Sequence, residues 1–577
     1  MLSLFARDEY AALGLAAVLD IERIPYRRIA RLSGHDRPLL VVVGEGLSTE
    51  DSAAIAAHSS LVLHGGAACA ARLLGVSVPA SDDAPVALPL SEAVWPAGLF
   101  NLAHGFGTPT LRLPRAPFCR VPEQVHGELL AWMLADDSTT SLPAVVRRDS
   151  CLWVALDLGT AFAHLLTERY APGVTGGGAL RGWLRGASES AYYAAPRRLR
   201  ATLQGAAYRA LQRRLQRLGA RASEYPIDPT GWLLIELVRA LIRRAAGRLV
   251  RLARWPAGAA SAAVLTHDLE PRRYAYTEGL ARLLARSGEQ PPAAFGIVAS
   301  AGARHLGGER LQAVAGRAVF CHGLDHRGEP VRGRRRVARS LRRARALLER
   351  QFGRPITGYR SPRLDRSPDL DRALDETGFV YDSSYPDVDR ENVAHYGRGV
   401  RLNLPYRPLI EMRGRWRSSR CLELPLTAPD CIQPLFAGAD AAALAATVAQ
   451  KAAFVRASGG LYVALVHAGV FGPDDAACRE AHLDVVAAQL RHPATWWAGI
   501  EEVVDWWRAR EALDLVLDGD AVRIVNRGTL PVTGARLIVE DAHGAHTVAL
   551  PVLAPGEACT SQLAAGAGAH QDSSHAA

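Results

Sequence analysis

From Ser261 to about Ala512 short apolar runs alternate with helical patterns, and this constrains the fold more than any other feature of the chain. Ala262–Thr266, Ala294–Val298, Ala318–Cys321, Ile356–Tyr359, Phe379–Tyr381, Leu422–Leu424 and Leu461–Val466 read as strands. Arg273–Arg286, Val337–Gln351, Asp369–Thr377, Ala441–Ala457, His482–Leu490 and Ile500–Ala512 read as helices, with Asp440 placed to cap the fourth. Strand–helix alternation sustained over roughly 250 residues predicts a parallel (β/α) barrel.

The remaining segments read differently. Residues 1–185 suggest an α/β domain of Rossmann- or amidotransferase-like type, with strands at Leu39–Val43, Ser60–Leu63 and Leu152–Leu156 and helices at Ser48–His58 and Ala67–Leu74. Val145–Phe162 reads as a hairpin and a last strand. Gly173–Gly178 reads as a flexible break. Residues 186–256 form a basic αα linker, with one helix over Leu199–Leu218 and a second over Trp232–Leu252. The barrel is placed at 257–511. Residues 512–563 switch to period two and predict a small β-sandwich-like module; 564–577 predict a disordered tail.

Composition narrows the chemistry. The sequence carries 68 basic and 58 acidic residues, and its only lysine is Lys451. A lysine-bearing phosphate loop is therefore excluded, and Schiff-base chemistry would rest on a lysine inside an Ala-rich helix. The eight cysteines form no Cys-x-x-Cys pair, as expected of reduced thiols in a cytoplasmic protein. His64 and Cys69 do not form a nucleophile elbow, and Cys69 reads as a buried helix residue. Trp496, Trp497, Trp506 and Trp507 read as packing residues.

The barrel's strand ends hold the reactive groups. In Thr266-His-Asp-Leu-Glu270 an extended chain puts Thr266, Asp268 and Glu270 on one face. His322-Gly-Leu-Asp-His326 follows a strand and spaces two imidazoles four apart, on one face of a helical turn; with a nearby carboxylate this is a donor set for a divalent metal. Arg360-Ser-Pro362, Asp382-Ser-Ser-Tyr385 and Leu465-Val-His467 follow three more strands. Each taken alone reads as turn chemistry or a hydrogen-bonded strand end.

Together and in this order, these motifs resemble those of the NodB-like polysaccharide deacetylases, carbohydrate esterase family 4, over about residues 257–510. The resemblance implies a distorted barrel of some seven strands and a metal-dependent hydrolase that removes N-acetyl groups from a carbohydrate. It implies Asp268 as catalytic base, His467 as catalytic acid, Arg360 as the residue that holds the base and Asp382 as the one that orients His467. Glu270, His322 and His326 are the implied ligands of a divalent metal, with zinc the expected ion. Leu269 replaces the family's usual second Asp, which leaves the carboxylate ligand open between Asp268 and Glu270; the Asp-Val-Asp/Glu branch favours Glu270. Arg363 stands where an aromatic residue is common, and Ala468 where Pro is. The alternatives are hydrolysis of a non-sugar amide on the same fold and a non-catalytic glycan-binding or scaffold protein.

The positive charge is concentrated. Residues 196–256 hold 14 Arg against Glu224, Asp228 and Glu236, and residues 332–350 hold nine Arg against Glu349. These are either solvated helix faces or an anionic-membrane contact, expected at the inner face of the membrane. Nucleic acid is not an expected partner, because neither patch interleaves aromatic residues in a reader fold.

Overall fold

The computed structural model describes residues 2–32, 39–56, 60–79, 81–135, 140–168, 227–286, 292–326, 333–386, 400–428, 441–468 and 476–563, with positions 199, 202 and 206 between them. The predicted helix over Leu199–Leu218, Gly173–Gly178, Asp440 and the tail 564–577 fall wholly or mostly outside these residues.

The first sheet has nine strands: β1 Leu2–Phe5, β2 Tyr26–Ile29, β3 Leu39–Gly44, β4 Ser60–His64, β5 Asp82–Pro89, β6 Thr110–Phe118, β7 Glu128–Ala135, β8 Ser141–Arg148 and β9 Cys151–Val154. Its order is β2-β1-β3-β4-β9-β8-β7-β5-β6. The first five strands of this order are parallel and the other four are antiparallel; of those four the sequence reading found only β8, as part of its hairpin. The parallel half shows the strand order of doubly wound nucleotide-binding folds. Val145–Phe162 is a hairpin that continues into a helix, Leu158–Thr167, rather than a further strand.

That helix packs on Glu9–Glu22 at glycine contacts. A Cβ on Gly14 would lie 1.9 Å from the Gly159 carbonyl oxygen, and one on Gly159 would lie 2.3 Å from that of Ala11. Only hydrogen side chains allow the two backbones to approach this closely.

The helix predicted over Trp232–Leu252 spans only Thr230–Ala246. Gly247 takes a left-handed φ of 74° and ends it. The chain then extends as β10, Leu249–Leu252.

The second large sheet is parallel throughout. Its strands are β11 Ser261–Leu269, β12 Ala293–Ile297, β13 Ala318–Cys321, β14 Gly358–Tyr359 and β15 Tyr381–Asp382; a separate hairpin, β16 Leu409–Met412 and β17 Arg415–Ser418, precedes β18 Leu422–Glu423, β19 Leu461–Leu465 and β20 Thr495–Trp497. The order is β18-β15-β14-β13-β12-β11-β19, with β20 also on β11. Beyond β18 a parallel bridge joins Ala428 to Ala464 on β19, so the sheet curls until its two ends meet. This is the layout expected from strand–helix alternation. The helix predicted over Arg273–Arg286 is two pieces, Arg273–Tyr276 and Glu278–Ala285, broken at Thr277.

The C-terminal residues form β21 Leu513–Asp518, β22 Ala521–Asn526, β23 Arg536–Asp541, β24 Gly544–Ala549 and β25 Ala558–Gln562. They make two three-stranded sheets, β21-β22-β25 and β10-β23-β24. β10 thus completes the C-terminal module from a distance of nearly 300 residues in sequence.

Trp255, Trp496, Trp506 and Trp507 form one aromatic cluster, with Trp255 and Trp507 centroids 5.4 Å apart, so the paired indoles pack. On the Arg-rich helix Arg334–Phe352, Arg334 and Arg342 bind Glu376, and Arg345 reaches the Thr377 carbonyl; part of this charge is used internally. No described helix is long and apolar enough to cross a membrane.

Substituting Gly14→Ala forces the two helices apart. We expect a loss of about 3 kcal/mol of unfolding free energy, measured by denaturant titration; an unchanged midpoint would show that the contact tolerates a methyl group.

Candidate metal and acid–base site

β11 runs through the sheet and ends at the site. Alternation sends Thr266 and Asp268 to one side and Leu269 to the other. Leu269 is fully buried in the apolar layer with Tyr276, Leu280 and Val298. The position where the usual second acid is missing is therefore an outward-facing core residue. Glu270 follows directly, at the point where the strand stops.

Asp268 lies opposite Gly296 of β12 in register. A Cβ on Gly296 would stand 2.6 Å from Asp268 Oδ1 and 2.5 Å from the Phe320 ring. The glycine is the space the carboxylate occupies.

Three side chains converge beside it. Donor atoms of Glu270, His322 and His326 all lie within 4.8 Å of one another, and all three residues are buried. His326 Nε2 is 3.3 Å from Glu270 Oε2, and the two imidazole centroids are 5.2 Å apart. The pair does not sit on a helical turn: residues 322–326 are a bend after β13. The turn is made by Gly323 at φ 80° and by His326 itself at φ 61°, a conformation uncommon for a non-glycine residue. His322 Nδ1 is 3.0 Å from the Arg360 carbonyl oxygen and donates to it, which leaves Nε2 with a lone pair and no hydrogen-bond partner. Burial lowers the His322 pKa, so the ring is neutral at neutral pH. A neutral imidazole oriented from behind, a second imidazole and a buried carboxylate fit a divalent metal.

Arg360 is 0% exposed and ties the site together. Its Nη1 donates to Thr266 Oγ1 at 2.8 Å and to Asp268 Oδ1 at 3.1 Å. Its Nε and Nη2 donate to the Ser383 carbonyl and hydroxyl, both at 3.0 Å. Burial pushes the Asp268 carboxyl up, but the His322 ring and the Arg360 guanidinium outweigh it and hold it below its ordinary range. Burial likewise raises Glu270, and His326 and His467 more than offset it.

The hydrogen bonds of Asp382 run to its own loop, not to the expected His467. Its Oδ1 accepts from Ser383 N at 2.9 Å and from Ser384 Oγ at 2.5 Å. Its neighbour in register is Glu423 of β18, which the sequence reading did not single out. Glu423 Oε1 accepts from Tyr385 N at 2.9 Å. Asp382 Oδ2 and Glu423 Oε2 find no other donor, and the two carboxyls bond to each other once a proton lies between them. Burial pushes both carboxyls up, which keeps that proton in place. The signal for Glu423 was in the sequence: an acid inside the apolar run Cys-Leu-Glu-Leu-Pro-Leu, in a strand of a closed sheet, points inward.

His467 follows β19 and places Nε2 3.4 Å from Glu270 Oε1. Its side chain is 17% exposed, against 8% or less for Glu270, His322, His326 and Asp268. It is the member of the group that faces solvent. All seven residues read from the sequence thus lie in this region, with Asp382 acting on the Ser383–Tyr385 loop behind Arg360.

Two substitutions probe this framework. Gly296→Ala should displace Asp268 and cut any hydrolytic turnover at least about tenfold while the protein stays folded by circular dichroism. Glu423→Gln keeps a hydrogen to share and should hold stability within about 1 kcal/mol. Glu423→Leu leaves Asp382 and Tyr385 N without their partner and should cost about 3 kcal/mol in denaturant unfolding; equal stability of the Gln and Leu variants would contradict the shared proton.

No family model and no curated protein matches the chain. Among solved structures, a candidate polysaccharide deacetylase from Mycobacterium smegmatis is similar at TM-score 0.36 and 22% identity, over 44% of this chain and 93% of that one. PuuE allantoinase is similar at TM-score 0.36 and 16% identity, over 44% of this chain and 93% of that one. Agd3, a carbohydrate deacetylase, is similar at TM-score 0.34 and 11% identity, over 97% of this chain and 98% of that one.

Proposed function

We propose that the protein is a metal-dependent hydrolase that removes N-acetyl groups from a carbohydrate. The observation that carries this reading is the buried Glu270–His322–His326 donor set beside an arginine-held aspartate. It is joined by the resemblance of the strand-end motifs to those of NodB-like deacetylases. Glu270, His322 and His326 would hold the divalent ion, with zinc suited to two imidazoles and one carboxylate. Lewis acidity toward a water and toward the scissile carbonyl is what such an ion supplies when bound.

The chain's own residues do the rest. Asp268, kept ionised by Arg360, accepts the proton of the attacking water. Arg360 takes no proton itself; its four hydrogen bonds fix the carboxylate's direction. His467, on the solvent side, donates a proton to the departing amine. Its Nε2 lies 3.4 Å from Glu270 Oε1, which keeps the ring at the rim of the donor set. The products are acetate and a free amino sugar.

The test is metal content together with acetate release from N-acetylated oligosaccharides. The native protein is expected to hold one divalent ion and release acetate. Asp268→Asn should lose at least about a hundredfold in turnover and keep the ion. His326→Ala should lose both. Full activity in both variants would overturn the assignment.

A further inference from the structure

A second cluster lies at the other end of the parallel sheet. Arg239, Arg251, Arg254 and Arg536 line one cleft of about 450 Å³ together with a single carboxylate, Glu236. Arg239 comes from the helix Thr230–Ala246, Arg251 from β10 and Arg536 from β23. Ala260, just before β11, also lines the cleft. The nine residues of β11, roughly 26 Å of extended chain, separate it from the Asp268–Glu270 site.

The arginines are held in place. Arg254 Nε donates to Glu22 Oε1 at 2.7 Å, and its Nη1 to the Ser458 carbonyl at 2.5 Å. Arg251 Nε and Arg239 Nη2 share Glu540 Oε1, at 2.7 and 2.5 Å. Arg239 also pairs with Glu236 at 2.5 Å. Glu22 is fully buried, with Arg251 3.5 Å and Arg239 3.7 Å away. Arg510, 0% exposed, donates to the Leu252 and Ala253 carbonyls behind the cleft. Neither Arg510 nor Arg536 makes an ion pair with a carboxylate among the described residues.

Five arginines therefore meet three glutamates, Glu22, Glu236 and Glu540. Two positive charges have no carboxylate partner among the described residues, one on the buried Arg510 behind the cleft and one on the partly exposed Arg536 within it. Burial pulls the Arg510 guanidinium down to about 9 and lowers that of Arg251, whereas around Arg239 the carboxylates of Glu236, Glu22 and Glu540 outweigh burial and raise it. A dianion would balance the charge. Guanidinium forks pair with phosphate oxygens in a two-pronged geometry, and the space suits a ligand the size of a phosphorylated monosaccharide.

We propose that this cleft binds a phosphate dianion, free or as a phosphate monoester, through Arg536, Arg251 and Arg254. Because the cleft is walled by the N-terminal layer, the parallel sheet and the C-terminal module, binding stabilises all three together.

The test uses the full-length protein and its melting temperature at matched ionic strength. Inorganic phosphate and glucose 6-phosphate are titrated in parallel, with sodium chloride as the control. A saturable rise with either ligand is expected. Arg536→Gln should melt no lower than the native protein in chloride and weaken phosphate binding about tenfold or more. Arg523→Gln, an exposed arginine outside the cleft, should leave binding unchanged. Tighter binding of glucose 6-phosphate supports a monoester ligand, and equal binding supports free phosphate. No rise with either ligand, or an equal rise in Arg536→Gln, overturns the proposal.

Discussion

The Arg360 guanidinium is the interaction on which the site depends. It is fully buried and reaches β11 through Thr266 and Asp268, and the loop after β15 through Ser383. Its own backbone carbonyl accepts from His322. One residue therefore helps to keep Asp268 ionised, sets the tautomer of His322 and fixes the spacing between three strand ends. A lysine could not do this, since it lacks the planar fork that binds several acceptors in fixed directions. Behind it, the Asp382–Glu423 pair fixes the loop that holds the guanidinium, so rigidity is passed inward from the sheet to the base.

Much of this was legible in the sequence, for identifiable reasons. Strand–helix alternation is a local pattern, and it located every strand of the parallel sheet except β20. Strand-end position then picked out Asp268, Glu270, His322, Arg360, Asp382 and His467 together. Other features depended on contacts that no local pattern encodes. The bend at 322–326 needs His326 in a left-handed conformation, which four-residue spacing read as a helical turn. Asp382 faces Glu423 because β15 and β18 are neighbours, although 40 residues lie between them. β10 extends because β23 is there to pair with it. The antiparallel strands β5–β7 were missed because their alternation is interrupted by prolines and bulges.

The arginine excess also takes on a different meaning. Composition suggested two basic helical patches, either solvated or set against an anionic membrane. In the fold, arginines also join layers: Arg254 to Glu22, Arg239 and Arg251 to Glu540, Arg366 to Glu168 and Arg407 to Glu511. The buried members of this set are fixed in direction by their partners and carry no option of losing their charge. Breaking one by removing its carboxylate leaves an isolated buried cation, so these joints are sensitive to single substitutions in a way that surface pairs are not.

The proposed chemistry requires a metal held by Glu270, His322 and His326. Anomalous diffraction from crystals of the zinc-loaded protein, collected on both sides of the zinc absorption edge, tests it most directly. One strong peak is expected at bonding distance from Glu270, His322 Nε2 and His326, and it should be absent in His326→Ala. A peak elsewhere, or no peak at this site in fully loaded protein, would contradict it.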